Sequence, residues 1–240
     1  MADATPPFLR LENLVAGYGR KQILNGLQIE VALGEVVAII GHNGAGKSTL
    51  LKVIFGMLPI WQGSMVVSGT EVPIPSPRDL LKKGIAYLPQ GNRVFGDLTV
   101  HENLEMGGVT LPNRFALEER VKTLLSKFPH LKARLRQRAS TLSGGEKQML
   151  ALACALMLSP RMLLLDEPSL GLSAPVTLDA LQKIKTISRE TGAGILLVEQ
   201  KVREALQIAD RVYVMRNGVV SYSGQSVALR DEAKLREVYF

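Results

Sequence analysis

The stretch Gly41-His42-Asn43-Gly44-Ala45-Gly46-Lys47-Ser48-Thr49 decides how the rest of the chain is read. It meets the pattern G-x-x-x-x-G-K-[ST] from Gly41 to Ser48. Ahead of it, Glu35-Val36-Val37-Ala38-Ile39-Ile40 is an apolar, β-branched run that predicts a buried strand. Behind it, Ser48 to Phe55 carries apolar residues at helical spacing. Glycines let the backbone turn tightly and bring N–H groups against phosphate oxygens. The helix that follows adds a dipole that favours anions. Residues 41–49 are therefore the candidate phosphate cradle. Lys47 is expected to reach β- and γ-phosphates, and the Ser48 hydroxyl to ligate Mg²⁺. A plain glycine-rich turn needs neither the lysine nor the hydroxyl.

A second run, Met162-Leu163-Leu164-Leu165, is uninterrupted and apolar, as in a parallel strand buried on both faces. Asp166 and Glu167 follow at its carboxyl end, where open α/β sheets place their ligands. Asp166 suits the organisation of Mg²⁺ through its water shell. Glu167, one residue on, suits a general base for an attacking water. Two acids at a strand end mean little alone; beside a full phosphate loop they complete a hydrolytic site.

Leu142-Ser143-Gly144-Gly145-Glu146 is a further glycine-rich segment, without a lysine of its own, ahead of the apolar stretch from Gln148 to Leu158. Ser143 can cap that helix, whose free N–H groups then face an anion. A capped core helix would explain Ser143 but not the double glycine. One complete nucleotide site and one unpartnered anion site in the same chain imply that two such chains share ATP between them.

That combination resembles the ATP-binding subunit of an ATP-binding-cassette (ABC) transporter, and the resemblance spans essentially the whole chain. It implies an α/β fold with a P-loop NTPase core (RecA-like, mainly parallel sheet), an antiparallel β lobe and an inserted helical lobe. A single domain over 8–240 is expected, with its core at about 8–90 and 142–240 and its helical lobe at about 91–141. The resemblance also assigns roles residue by residue. Tyr18, in Gly17-Tyr18-Gly19, matches the aromatic that stacks on adenine. Gln90, after Tyr87-Leu88-Pro89, matches the glutamine that senses Mg²⁺ and the attacking water. Ser143, Gly144 and Gly145 match the face that closes on the γ-phosphate of the partner subunit. Ser173 stands where most relatives carry aspartate. Gln200, at the end of Ile195-Leu196-Leu197-Val198-Glu199, stands where they carry a switch histidine. Glutamine still donates a hydrogen bond but holds no charge.

Three segments narrow the branch: Pro89-Gln90-Gly91-Asn92-Arg93-Val94-Phe95, Leu98-Thr99-Val100-His101-Glu102-Asn103-Leu104, and Val198-Glu199-Gln200. With the ending Val238-Tyr239-Phe240, they are similar to the smaller ATPase of branched-chain amino acid importers, whose relatives include urea and short-chain amide importers. This implies ATP and Mg²⁺ as cofactors, and a second ABC ATPase subunit, identical or not, as partner. It also implies membrane permease subunits, an indirect solute-binding protein, and a peripheral place on the cytoplasmic face of the inner membrane.

Composition agrees. The chain has 240 residues, 46% of them hydrophobic and only 5% aromatic, which suits a βαβ core filled by Leu, Val, Ile and Ala. Cys154, the one cysteine, lies in an apolar helical stretch and reads as a reduced core residue. No basic N-region with an apolar core opens the chain. The longest apolar run, Met149 to Leu158, falls well short of the ~20 residues of a spanning helix. The net charge of +7 has its densest cluster at Lys132, Arg134, Arg136 and Arg138. On a helix those residues would spread round the cylinder, and no aromatics interleave with them, so a nucleic-acid platform is not expected.

Residues from about Phe8 to Gly34, and Gly63 to Gly69, alternate like antiparallel strands. Pro73-Ile74-Pro75-Ser76-Pro77 is predicted to be a surface connection. Leu117, Val121, Leu124, Leu125 and Phe128 have helical spacing. Asp210 to Met215 forms a late strand closed by an Asn217-Gly218 turn. Two other classes fit less well. Soluble ABC-type ATPases of nucleic-acid or translation machinery carry two cassettes or a long coiled-coil insert, and only the short span 91–142 separates Gln90 from Ser143 here. A catalytically weak binding subunit is suggested by Gln200 and Ser173, but Lys47 and Glu167 are intact.

Overall fold

The alternating segment after Phe8 becomes the hairpin β1 (Leu9–Tyr18) and β2 (Lys21–Val31). This is seen in a computed structural model that describes residues 6–91 and 93–239. Asn92 and Phe240, both quoted above, and the lead-in through Thr5 lie outside the described residues. β3 (Val36–Ile40) runs into α1 (Lys47–Ile54) through the glycine loop. β4 (Gln62–Val67) and the short β5 (Thr70–Glu71) then return to the hairpin, giving an antiparallel sheet of order β2-β1-β4-β5.

α2 (Pro77–Lys82) leads to β6 (Ile85–Leu88), which is followed by α3 (Val100–Gly107), α4 (Arg114–Lys127) and α5 (Pro129–Lys132). α6 (Gly144–Leu156), β7 (Met162–Asp166), α7 (Ala174–Thr191), β8 (Gly194–Val198) and α8 (Val202–Ile208) alternate as expected of a parallel sheet. β9 (Arg211–Arg216) and β10 (Val219–Gln225) form the closing hairpin, and α9 (Glu232–Tyr239) comes last. The second sheet has the order β10-β9-β3-β8-β7-β6, parallel from β9 to β6.

The unbroken apolar runs have a simple cause. In β3, Val36, Ala38 and Ile40 enter the core shared with the helices, while Val37 and Ile39 face the antiparallel sheet and α1. β7 divides in the same way, Leu163 and Leu165 on one side, Met162 and Leu164 on the other. Successive side chains point to opposite faces of a strand, so a sheet sandwiched between two cores needs apolar residues at every position. Each fully buried Leu, Ile or Val contributes about 1.5–3 kcal/mol.

Two expectations are corrected. Pro77 is not in a connection but is the first residue of α2, where its missing N–H costs nothing and Ser76 caps the helix. Nor does the basic cluster lie on one helix: α5 ends at Lys132, Arg138 pairs by an isolated antiparallel bridge with Thr99, and Arg134 Nε lies 2.6 Å from Glu146. Cys154 is a free, partly buried thiol whose pKa is pushed up to about 12 by burial.

Candidate functional site

The carboxyl ends of β3, β6, β7 and β8 meet on one edge of the parallel sheet. β3 delivers the glycine loop. At Gly41 the backbone has φ +152°, and a Cβ there would stand 2.2 Å from the Met215 carbonyl oxygen of β9. Only glycine fits that approach. Gly46, at φ +100°, is the N-cap of α1, and no side chain caps it. No acid lies in the first turn, so the free N–H groups and the dipole both favour an anion.

Lys47 is buried, and its ammonium donates to the carbonyls of Gly41 (2.7 Å) and His42 (3.1 Å). Burial lowers its pKa, and the nearby charges of Glu167 and Asp166 oppose that shift. His42 also meets the end of α9, with its Nε2 at 3.1 Å from the Tyr239 carbonyl oxygen.

Asp166 is the last residue of β7 and is buried. Its Oδ1 accepts from the Ser48 hydroxyl at 2.8 Å, and its Oδ2 from the Tyr87 hydroxyl at 3.1 Å. Burial raises the pKa of this carboxyl, while the two hydroxyls pull it back. A hydroxyl and a carboxylate converging at the mouth of a phosphate loop form an oxygen-only donor pair suited to a hard cation. No group of three or more His, Cys, Asp and Glu is clustered among the described residues. Phosphate and water supply much of the coordination where Mg²⁺ is held by so few protein groups.

Glu167 has left the strand, with φ +50°. Its two carboxylate oxygens are held from both sides: Gln90 Nε2 donates to Oε2 at 2.8 Å and Gln200 Nε2 to Oε1 at 2.7 Å. These glutamines follow β6 and β8, the two neighbours of β7 in the sheet. Each oxygen keeps another lone pair for a water. Gln200 thus stands one residue past Glu199 and two past the end of β8, with its amide on Glu167.

Tyr18 ends β1 and is 43% exposed; its hydroxyl lies 3.4 Å from Lys52 Nζ of α1, whose ammonium stands 5.8 Å from the ring centroid. Ser143 is the N-cap of α6, as its sequence position predicts, and accepts from the Glu146 N–H at 3.3 Å. Gly145 faces α7, where a Cβ would stand 2.7 Å from Val176, and Gly144 faces the loop before it, where a Cβ would stand 3.6 Å from Leu172. Ser173 is the N-cap of α7, without a side-chain cap bond.

Three residues were missed by the sequence reading. Glu146 reaches back to the Ser143 N–H at 2.9 Å, closing a capping box that the spacing Ser143-x-x-Glu146 could have disclosed. Tyr87 gave no local signal, since its partner Asp166 lies on another strand. Glu199 is buried at the end of an apolar strand, and an acid in that setting was the available clue.

This edge, with a glycine loop, a buried lysine, a hydroxyl–carboxylate pair and a clamped acid, defines an ATP-binding cassette. The chain belongs to the ABC transporter family, whose profile matches residues 24–170. It is similar to the high-affinity branched-chain amino acid transport ATP-binding protein BraG of Pseudomonas aeruginosa, at 44% identity over 96% of this chain and 98% of that protein. It is also similar to the probable branched-chain amino acid transport ATP-binding protein LivF of Archaeoglobus fulgidus, at 39% identity over 96% and 97%. Among solved structures, an ATP-binding cassette of an ABC transporter in its ADP conformation superposes with TM-score 0.88 at 28% identity, covering 98% of both chains. The chain is accordingly an ATP-binding, ATP-hydrolysing subunit of an ABC transporter. No helix among the described residues is long and apolar enough to cross a membrane.

Proposed function

We propose that this chain hydrolyses ATP to drive a membrane importer of branched-chain amino acids. The observation that carries the catalytic part is the Glu167 carboxylate, held on one oxygen by Gln90 and on the other by Gln200. In this reading Glu167 takes a proton from the water that attacks the γ-phosphate, and the two amides hold its carboxylate in line. Lys47 turns from the loop carbonyls to the β- and γ-phosphates, and the N–H groups of residues 41–49 cradle them. Tyr18 stacks on adenine. Ser48, Asp166 and Gln90 would hold Mg²⁺, which would supply positive charge to offset the negative charge that develops on the phosphates. Ser143, Gly144 and Gly145 meet the γ-phosphate carried by a second ATPase subunit.

The named functions of the BraG and LivF relatives support the choice of substrate class. The same reading places the subunit on permease subunits at the cytoplasmic face of the membrane, with a solute-binding protein outside. It takes 91–141 as a helical lobe set into a core of 8–90 and 142–240. Reconstitution of the subunit with its permease and ATPase partner in proteoliposomes tests this. Leucine, isoleucine or valine uptake that needs ATP and is lost in Glu167→Gln is expected. Uptake of urea or short amides instead moves the substrate class, and ATPase stimulation by nucleic acid alone rejects the transport reading.

A further inference from the structure

Glu199 follows β8 and is 1% exposed, yet none of the roles assigned above falls to it. Its Oε1 accepts from the Ser169 N–H at 2.9 Å. Its Oε2 accepts from the Ser169 hydroxyl at 2.8 Å, the Gln200 N–H at 3.1 Å and, more distantly, the Lys201 N–H at 3.5 Å. One buried carboxylate therefore ties together two loops: the one that leaves Glu167 and the one that carries Gln200. Lys201 adds a second tie, its ammonium donating to the Leu172 carbonyl at 2.8 Å and to the Thr177 hydroxyl.

The circuit closes on the site. From Glu199 one path runs through Ser169 back along the chain to Glu167. The other runs through Gln200, whose amide donates to the same Glu167 carboxylate at 2.7 Å. We propose that Glu199 is a positioning residue that registers Gln200 against Glu167, so that it governs the rate of hydrolysis and not the affinity for nucleotide. The inference rests on the reading of Glu167 as the base. Burial raises the Glu199 pKa, and the bonds from Ser169, Lys201 and Gln200 pull it back toward the ionised form that accepts them all. Glu199 touches no phosphate-loop residue through these bonds, which is why binding is spared.

The test compares Glu199→Ala, Glu199→Gln, Gln200→Ala and the double variant Glu199→Ala/Gln200→Ala in the assembled transporter. Turnover, KM for ATP and the Kd of a non-hydrolysed ATP analogue are measured for each. Glu199→Ala is expected to slow turnover about 10-fold or more, with KM and Kd within about 2-fold of wild type. Glu199→Gln keeps an acceptor oxygen and should recover part of the loss. The double variant should turn over within about 2-fold of the slower single variant, because both remove one circuit. Effects that multiply, or a loss confined to KM and Kd, overturn the proposal.

Amide exchange in the nucleotide-free subunit gives an independent readout. Segments 168–173 and 199–201 should lose protection together in Glu199→Ala while β7 keeps its own; protection unchanged in either segment overturns the proposal. If Glu199→Ala does not fold, Ser169→Ala removes only the hydroxyl bond, and wild-type turnover in that variant is the overturning result. Normal hydrolysis in Glu167→Gln would instead sink the underlying assignment of the base, and it leaves the exchange result to stand by itself.

Discussion

Two helix N-termini in this molecule look alike in sequence and differ in chemistry. α1 begins at Gly46 with no side-chain cap and no acid in its first turn. α6 begins at Ser143, whose hydroxyl caps the Glu146 N–H, while the Glu146 carboxylate accepts from the Ser143 N–H and hydroxyl. Those bonds hold the Glu146 carboxyl below the usual range, so a negative charge already sits at that end. The first N-terminus is open to phosphate, and Lys47 stands beside it. The second is satisfied from within. Glycine content alone does not make an anion site; unpaired donors do. In the proposed reading the α1 end binds by itself, and the α6 end contributes only when a facing subunit presents a phosphate to it.

The largest expected effect lies on the α1 side. Glu167→Gln should keep nucleotide binding but slow phosphate release by about 10²–10⁴-fold, with a closed ATP-bound dimer accumulating on size exclusion. Normal hydrolysis would place the base elsewhere. Lys47→Ala should lower turnover by about 10²–10³-fold, since it removes a preorganised positive group from a dry site. Near-wild-type turnover in that variant erases the contrast between the two ends.

Gln200→Ala should cost about 10-fold in turnover, the size of one hydrogen bond to a charged group. Gln200→His should introduce a step between about pH 6 and 7 in the rate profile, because histidine titrates there and glutamine does not. A flat profile argues that this position does not face the reacting groups. The smallest effect belongs to α6. Ser143→Ala should remove a cap worth about 1 kcal/mol, lowering Tm by about 2–4 °C. Nucleotide affinity of the isolated subunit should not change, and if it falls, the two ends share one ligand within a single chain.

The parts of the fold that depend on local pattern were legible in the sequence. The strand–loop–helix around Lys47, the apolar β7 and the helix after Ser143 all carry their signals within a few residues. Pro77 misled because proline forbids a helix interior but is welcome at its first position. The Arg134 to Arg138 stretch is not the helix its spacing was weighed on, because its partners, Glu146 for Arg134 and Thr99 for Arg138, come from distant elements. The clamp on Glu167 was only half legible. Gln90 and Gln200 could be picked singly, but their meeting on one carboxylate depends on β7 lying between β6 and β8, and strand order is not written in any one segment. Glu199 was passed over for a similar reason, since its donors include Ser169, thirty residues away.

The backbone of Glu167, at φ +50°, has a consequence for laboratory evolution. A non-glycine residue in the left-handed region carries a cost on the order of 1–2 kcal/mol, which asparagine and glycine largely escape. Under selection for heat resistance alone, with transport no longer required, position 167 should drift to Asn or Gly, and those inactive variants should melt higher than the parent. A library in which Glu persists there under such selection would show that the surrounding hydrogen bonds outweigh the strain.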